Sequence, residues 1–114
     1  MKIDKFYDKK NNIELKIYIG ENASDNWKII DNSNHFDIWF HLLGSPSSHV
    51  ILHLPDKHFK CDSKALLYCA NLVKHKSKLK MEKKVPVIYT FISNIKKGKE
   101  IGSVTTIKTN KLLI

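Results

Sequence analysis

Asp37-Ile-Trp-Phe-His41 and His49-Val-Ile-Leu-His-Leu54 are two β-rich runs separated by Leu-Leu-Gly-Ser-Pro-Ser-Ser. The connection is short and holds Gly44 and Pro46, so the runs are expected to pair antiparallel as neighbouring strands. Pairing about that loop sets His41 opposite His49, Trp39 opposite Ile51 and Asp37 opposite His53. Side chains alternate across a strand, so these six residues share one face.

The flanking sequence supplies the other elements. Ile13-Glu-Leu-Lys-Ile-Tyr-Ile19 alternates with period two, as a half-buried strand does, and Gly20 ends it. Asn22 followed by Asp25 has the spacing of a capping box, with Trp27, Ile29 and Ile30 as the apolar positions of a short helix. Asp31 to Asn34 is a turn. Asp62 or Ser63 starts a second helix, in which Ala65, Leu66, Cys69, Leu72 and Val73 recur at three- and four-residue spacing. Lys74, His75, Lys76 and Lys78 close that helix, where cations suit the negative pole of its dipole.

A basic connection from Lys80 through Lys83 and Lys84 ends at Pro86, and Val87 to Ile92 is β-prone. Asn94 to Glu100, carrying Lys96, Lys97 and Lys99, reads as a lysine-tipped loop. Val104 to Ile107 and Leu112 to Ile114 read as closing strands. The expected order is roughly β-α-β-β-α-β-β-β, a single α+β domain over residues 1–114 with a mostly antiparallel sheet and two main helices.

Length and composition bound the function. At 114 residues there is room for one core, and 42% hydrophobic content is enough to fill it. The first twelve residues alternate charges with aromatics and hold no secretory apolar run. The apolar stretches are too short to span a bilayer, which excludes membrane insertion. Cys61 and Cys69 offer neither a disulfide framework nor a zinc ribbon, so a cytoplasmic or nuclear setting is expected. No cofactor motif is present.

The net charge is +9 and all twenty basic residues are lysine. A field of that sign draws polyanions. Lysine meets phosphate as a hydrated point charge, whereas arginine reads guanine bidentately, so backbone contacts are expected to outweigh base sequence, with DNA a possible partner beside RNA. A solvated lysine-rich surface without a partner is the competing reading.

The Asp37/Trp39/His41/His49/His53 patch admits several readings. One metal cannot take both His49 and His53, which lie about 13 Å apart at ~3.3 Å per residue. General acid–base chemistry on His41 or His49, a structural role, and contact with nucleic acid all remain open. No GxSxG elbow accompanies Ser47 or Ser48, and the lysines at 96–99 lack Walker spacing. Cys69, on the apolar stripe, is expected in the core.

These residues resemble the NFACT-R domain, the RNA-binding module of NFACT-type ribosome quality-control factors and of short eukaryotic proteins in which it precedes a coiled coil. The resemblance runs through Tyr18-Ile-Gly20, Asn22, Asn26, Asp37 to His41, Ser48-His-Val50, the helix from Ala65 to Ser77, Val87 to Thr90, Asn94 to Lys97 and Gly102-Ser-Val104. It implies an α+β domain that binds RNA, with tRNA, rRNA and the large ribosomal subunit as partners. It makes Asn22, Asn26, Asp37, Trp39, His41, Ser48 and His49 the motif patch. The lysines expected to meet phosphate are Lys74, Lys76, Lys78, Lys80, Lys83, Lys84, Lys96, Lys97 and Lys99.

These residues lack the larger factors' other domains and the aspartate-arginine pair associated there with tRNA engagement, so nascent-chain elongation is not expected of this chain alone. Glu21 stands where the family usually has a basic residue, and Ser47-Ser48-His49 replaces Gly-Ser-His. The alternatives are a protein-interaction module on a ribosomal or coiled-coil partner, and an RNA-modifying or RNA-cleaving site built on His41, His49 and Asp37.

Overall fold

The computed structural model describes residues 1–114. Its strands are β1 (Lys2–Asp8), β2 (Ile13–Ile19), β3 (Ile38–Leu42), β4 (Val50–Leu52), β5 (Pro86–Phe91), β6 (Ile95–Lys97), β7 (Val104–Thr106) and β8 (Asn110–Leu113). Helix α1 covers Ala23–Asp31 and α2 covers Ser63–His75. Six strands form one sheet in the order β1-β2-β4-β3-β5-β8, every neighbouring pair antiparallel. This is the expected α+β class.

The deciding register is the one the loop predicts. Trp39 lies opposite Ile51 and Phe40 opposite Val50. The alternation of β3 and β4 therefore divides their side chains between two layers. Ile38, Phe40, Leu42, Val50 and Leu52 face α2, where Ala65, Cys69, Ala70 and Val73 complete the main core. Trp39 and Ile51 face the other way and pack against Ile29 of α1 and Ile95 of β6. Both central strands are apolar on both faces because both faces are covered.

Asn22 caps α1, its side chain accepting from the Asp25 amide at 2.8 Å, and Asp62 caps α2 by accepting from Lys64 N at 3.1 Å. The reciprocal arm of the first cap is displaced by one residue: Asp25 Oδ2 accepts from Glu21 N at 2.9 Å. Cys69 is fully buried, and burial pushes its thiol pKa well up.

Two expectations need correction. The lysine-tipped loop at 94–100 is in part a strand, because Lys96 and Lys97 pair with Thr105 and Val104. The resulting β6–β7 hairpin stands apart from the main sheet, and β8 alone closes that sheet against β5. Ile95 and Val104 supply the apolar contacts that hold the hairpin over Trp39.

The strand β1 was not expected. Its alternate positions Asp4, Phe6 and Asp8 face inward, so two carboxylates occupy sites where an apolar period would announce a strand. Each carboxylate is bonded. Tyr68 donates its hydroxyl to Asp4 at 2.6 Å, and this raises the phenol pKa to about 12. Asp8, wholly inaccessible, accepts from Asn11 N, Asn11 Nδ2 and Asp62 N at 2.9–3.0 Å. One side chain thus fixes the β1–β2 turn and the start of α2.

Burial alone would raise the Asp8 pKa, but the donated hydrogen bonds outweigh it and lower the value below 3.8. The folded value is depressed, so the stabilisation is present above the unfolded pKa and is lost as pH falls through the folded one. Asp8→Ala is expected to cost about 1 kcal/mol by urea melt at pH 7, because it removes the acceptor of three part-buried hydrogen bonds. The gap between variant and wild type narrows as the melt is repeated at successively lower pH, below the ordinary carboxylate range. A pH-independent gap would contradict this account.

Candidate nucleic-acid interface

A groove of about 1060 Å³ lies at the end of the sheet where β3 and β4 are joined. Its floor comes from His41, His49 and the Gly44–Ser48 loop. One wall is the first turn of α1 with the Glu100–Val104 segment of the hairpin, and the other is Lys76 to Leu79, just beyond α2. Residues far apart in sequence meet here. The motif residues Asn22, Asn26, Trp39, His41, Ser48 and His49 all line it, and so do Lys76 and Lys78.

Several of these residues hold the groove in shape. Asn26 Oδ1 accepts from His49 N at 3.2 Å and ties α1 to the start of β4. Gly20 makes room for that amide, since a Cβ there would come within 1.9 Å of Asn26 Oδ1. Gly102, at φ +87°, presses on Ala23, while Trp27 Nε1 donates to Ser103 O at 2.9 Å. Helix and hairpin loop are therefore locked together.

Trp39 is 1% exposed and so offers no face to a base. Its indole N–H donates to His49 Nδ1 at 3.1 Å. An indole nitrogen can only donate, so His49 Nδ1 carries no proton and the proton of the neutral ring sits on Nε2. Burial, with a smaller contribution from His41, lowers the His49 pKa to about 3. His41 stacks on Trp39 with ring centroids 5.5 Å apart and planes 7° from parallel. Its Nδ1 lies 2.6 Å from the Leu42 carbonyl oxygen and must donate to it, which leaves Nε2 as a free lone pair. Burial lowers the His41 pKa too, against the opposing pull of that carbonyl.

Asp37 and His53 form a separate cluster. His53 Nδ1 and Asp37 Oδ2 are 3.2 Å apart, and Asp37 also accepts from Asn34 N and Leu54 N at 2.9 Å. Trp39 and Ile51 intervene between this cluster and His41/His49. The chemistry of a carboxylate paired with either groove histidine is therefore not assembled. No group of three or more His, Cys, Asp or Glu side chains converges as metal ligands would.

The predicted lysines fall into three sets. Lys76 and Lys78 line the groove, and Lys80, Lys83 and Lys84 continue from it, exposed and without an ion pair. Lys74 is half-buried and donates to Ile114 O at 3.1 Å. On the hairpin, Lys97 binds Asp31 at 2.7 Å and sits 5.1 Å from the Trp27 ring centroid, whereas Lys96 and Lys99 are exposed. Glu100 lines the groove without an ion pair, whereas Glu21 lines it paired to the N-terminal ammonium at 2.9 Å.

The family model described as the NFACT protein RNA binding domain matches residues 3–107. The chain belongs to that family. Membership makes it a nucleic-acid-binding domain. No curated protein matches the chain. Among solved structures, the C-terminal part of the fibronectin/fibrinogen-binding protein from Streptococcus suis shares the fold, with a TM-score of 0.82 at 20% identity. All of this chain aligns with 45% of that one, so the chain spans less than half of that structure.

Nitrogen-detected NMR is expected to show His49 as the Nε2–H tautomer, unchanged between pH 5 and 8. The unfolded chain takes this proton near pH 6.5 and the folded chain only near 3. Stability is accordingly lost as pH falls through that window, by about 1.4 kcal/mol per pH unit from this group. A His49 resonance titrating near pH 6.5 would refute the assignment.

Proposed function

We propose that this domain binds RNA in the cytoplasm, tRNA or ribosomal RNA on the large ribosomal subunit, by lysine–phosphate contacts. One observation carries the reading: Lys76 and Lys78 stand in the same groove as the motif residues His41, Ser48 and His49. Cations without acidic partners meet phosphate without first breaking an internal pair. From the groove the backbone track continues over Lys80, Lys83 and Lys84, with Lys96 and Lys99 on the hairpin as a second point of attachment. Lys74 and Lys97 have partners inside the protein and contribute field more than contact. Glu100, which has no ion pair, repels phosphate and so gives the bound strand a side, while Glu21 is held by the N-terminal ammonium.

A hydrolytic or acid–base role draws little support, because His49 is held neutral and Asp37 lies outside the groove. A docking role on a ribosomal or coiled-coil protein would leave the lysines as solvated charge, and a partner that survives nuclease treatment would favour it.

Fluorescence anisotropy against labelled tRNA, single-stranded RNA and duplex DNA across a salt series tests the proposal. If about six phosphates are neutralised, affinity on duplex-like RNA falls by roughly a thousandfold between 50 and 200 mM salt. Lys76→Glu/Lys78→Glu is expected to flatten the slope and weaken binding to every sequence alike. A salt-insensitive complex, or equal weak binding to all three, would reject it.

A further inference from the structure

The two histidines on the groove floor present complementary atoms. Trp39 fixes the proton of His49 on Nε2, and the Leu42 carbonyl fixes that of His41 on Nδ1. Neither Nε2 has a partner within the protein, yet no polar side-chain atom is sealed from solvent without one, so both reach the groove that these residues line, His41 from a half-buried ring and His49, only 2% exposed, through a narrow opening. One donor and one acceptor therefore stand side by side, on rings whose centroids are 5.0 Å apart. Both rings are neutral at pH 7, which suits them poorly to phosphate. A neutral group that both donates and accepts at a single atom is a hydroxyl. An oxygen bridging two nitrogens at about 2.9 Å each spans up to ~5.8 Å, a reach of the same order as the separation of the two rings.

The charges around the floor orient the ligand. Phosphate is drawn toward Lys76 and Lys78 and repelled by the unpaired Glu100, so the sugar next to that phosphate falls over the floor. We propose that the groove selects ribose over deoxyribose: His41 Nε2 accepts the 2′-hydroxyl proton while the His49 Nε2–H donates to its oxygen. The 2′-hydroxyl is the group by which a protein distinguishes RNA from DNA. Trp39 is then a positioning residue, since it sets which His49 nitrogen faces the sugar. This inference rests on the groove being the RNA site proposed above.

The test uses three labelled single strands of one sequence: RNA, DNA, and 2′-fluoro RNA, which keeps the ribose pucker but has no hydroxyl proton. Wild-type protein at fixed salt is expected to bind RNA about tenfold more tightly than either of the others, as two neutral hydrogen bonds supply. His41→Phe preserves the stack on Trp39 and is expected to bring RNA down to the DNA level, with circular dichroism confirming the fold. Equal affinity for all three strands, each salt-dependent, overturns the hydroxyl contact and leaves the electrostatic reading standing. Preference for RNA and 2′-fluoro RNA alike overturns it in favour of pucker. An equal loss on all three strands in His41→Phe overturns it in favour of a base contact. Absence of salt-dependent RNA binding overturns both proposals.

Discussion

The buried hydrogen bond from the Trp39 indole to His49 Nδ1 joins β3 to β4 at the point where the sheet meets the groove. It satisfies an indole N–H that would otherwise be stranded in an apolar layer. It fixes the proton of the neutral His49 ring on Nε2, while burial keeps that ring uncharged. The backbone amide of His49 is held in turn by Asn26, whose own place depends on the absent side chain at Gly20. Helix, strand and floor of the groove are consequently one connected unit. A disturbance at any member propagates to the others.

This connectivity explains why so many motif residues face inward. Asn22 caps a helix, Asn26 ties that helix to a strand, Asp37 organises the turn before β3, and Trp39 fills the second core. Asn22 Oδ1, Asn26 Oδ1, the Asp37 carboxylate and the Trp39 N–H are engaged inside the protein. What remains for a ligand is a small set of unpartnered atoms, the two Nε2 positions, the Asn22 and Asn26 amide nitrogens and the Ser48 edge, backed by a rigid shell. Precision of this kind suits a neutral polar group, and the exposed lysines that follow α2 supply attraction without geometry.

Much of the fold was legible because it is written in local patterns. The β3–β4 register follows from one loop and the alternation around it, and α2 follows from its apolar stripe and its cap. What escaped the sequence was set by tertiary partners. Strand β1 has aspartates at inward positions, which signal surface until Tyr68, Asn11 and the start of α2 are placed around them. Lys96 and Lys97 look like a loop tip because their strand pairs only with three residues of β7. The co-location of Lys76 and Lys78 with His41 and His49 could not be read at all, since it depends on α2 ending beside the β3–β4 loop. Period-two reasoning gathered Asp37 with the groove histidines because it records the face of a strand and not the distance along it.

The inward carboxylates of β1 bear on how copies of the domain meet one another. An unpaired edge strand is a template for a strand from another molecule, and proteins guard such edges with charge. Asp4 is bonded to Tyr68, and Asp8 to Asn11 and to the Asp62 amide that precedes α2, from the inner side, so a strand added at β1 would have to lie beside two anchored anions. The opposite edge, β8, is only four residues long and carries Lys111. Both borders of the sheet thus discourage edge-to-edge growth.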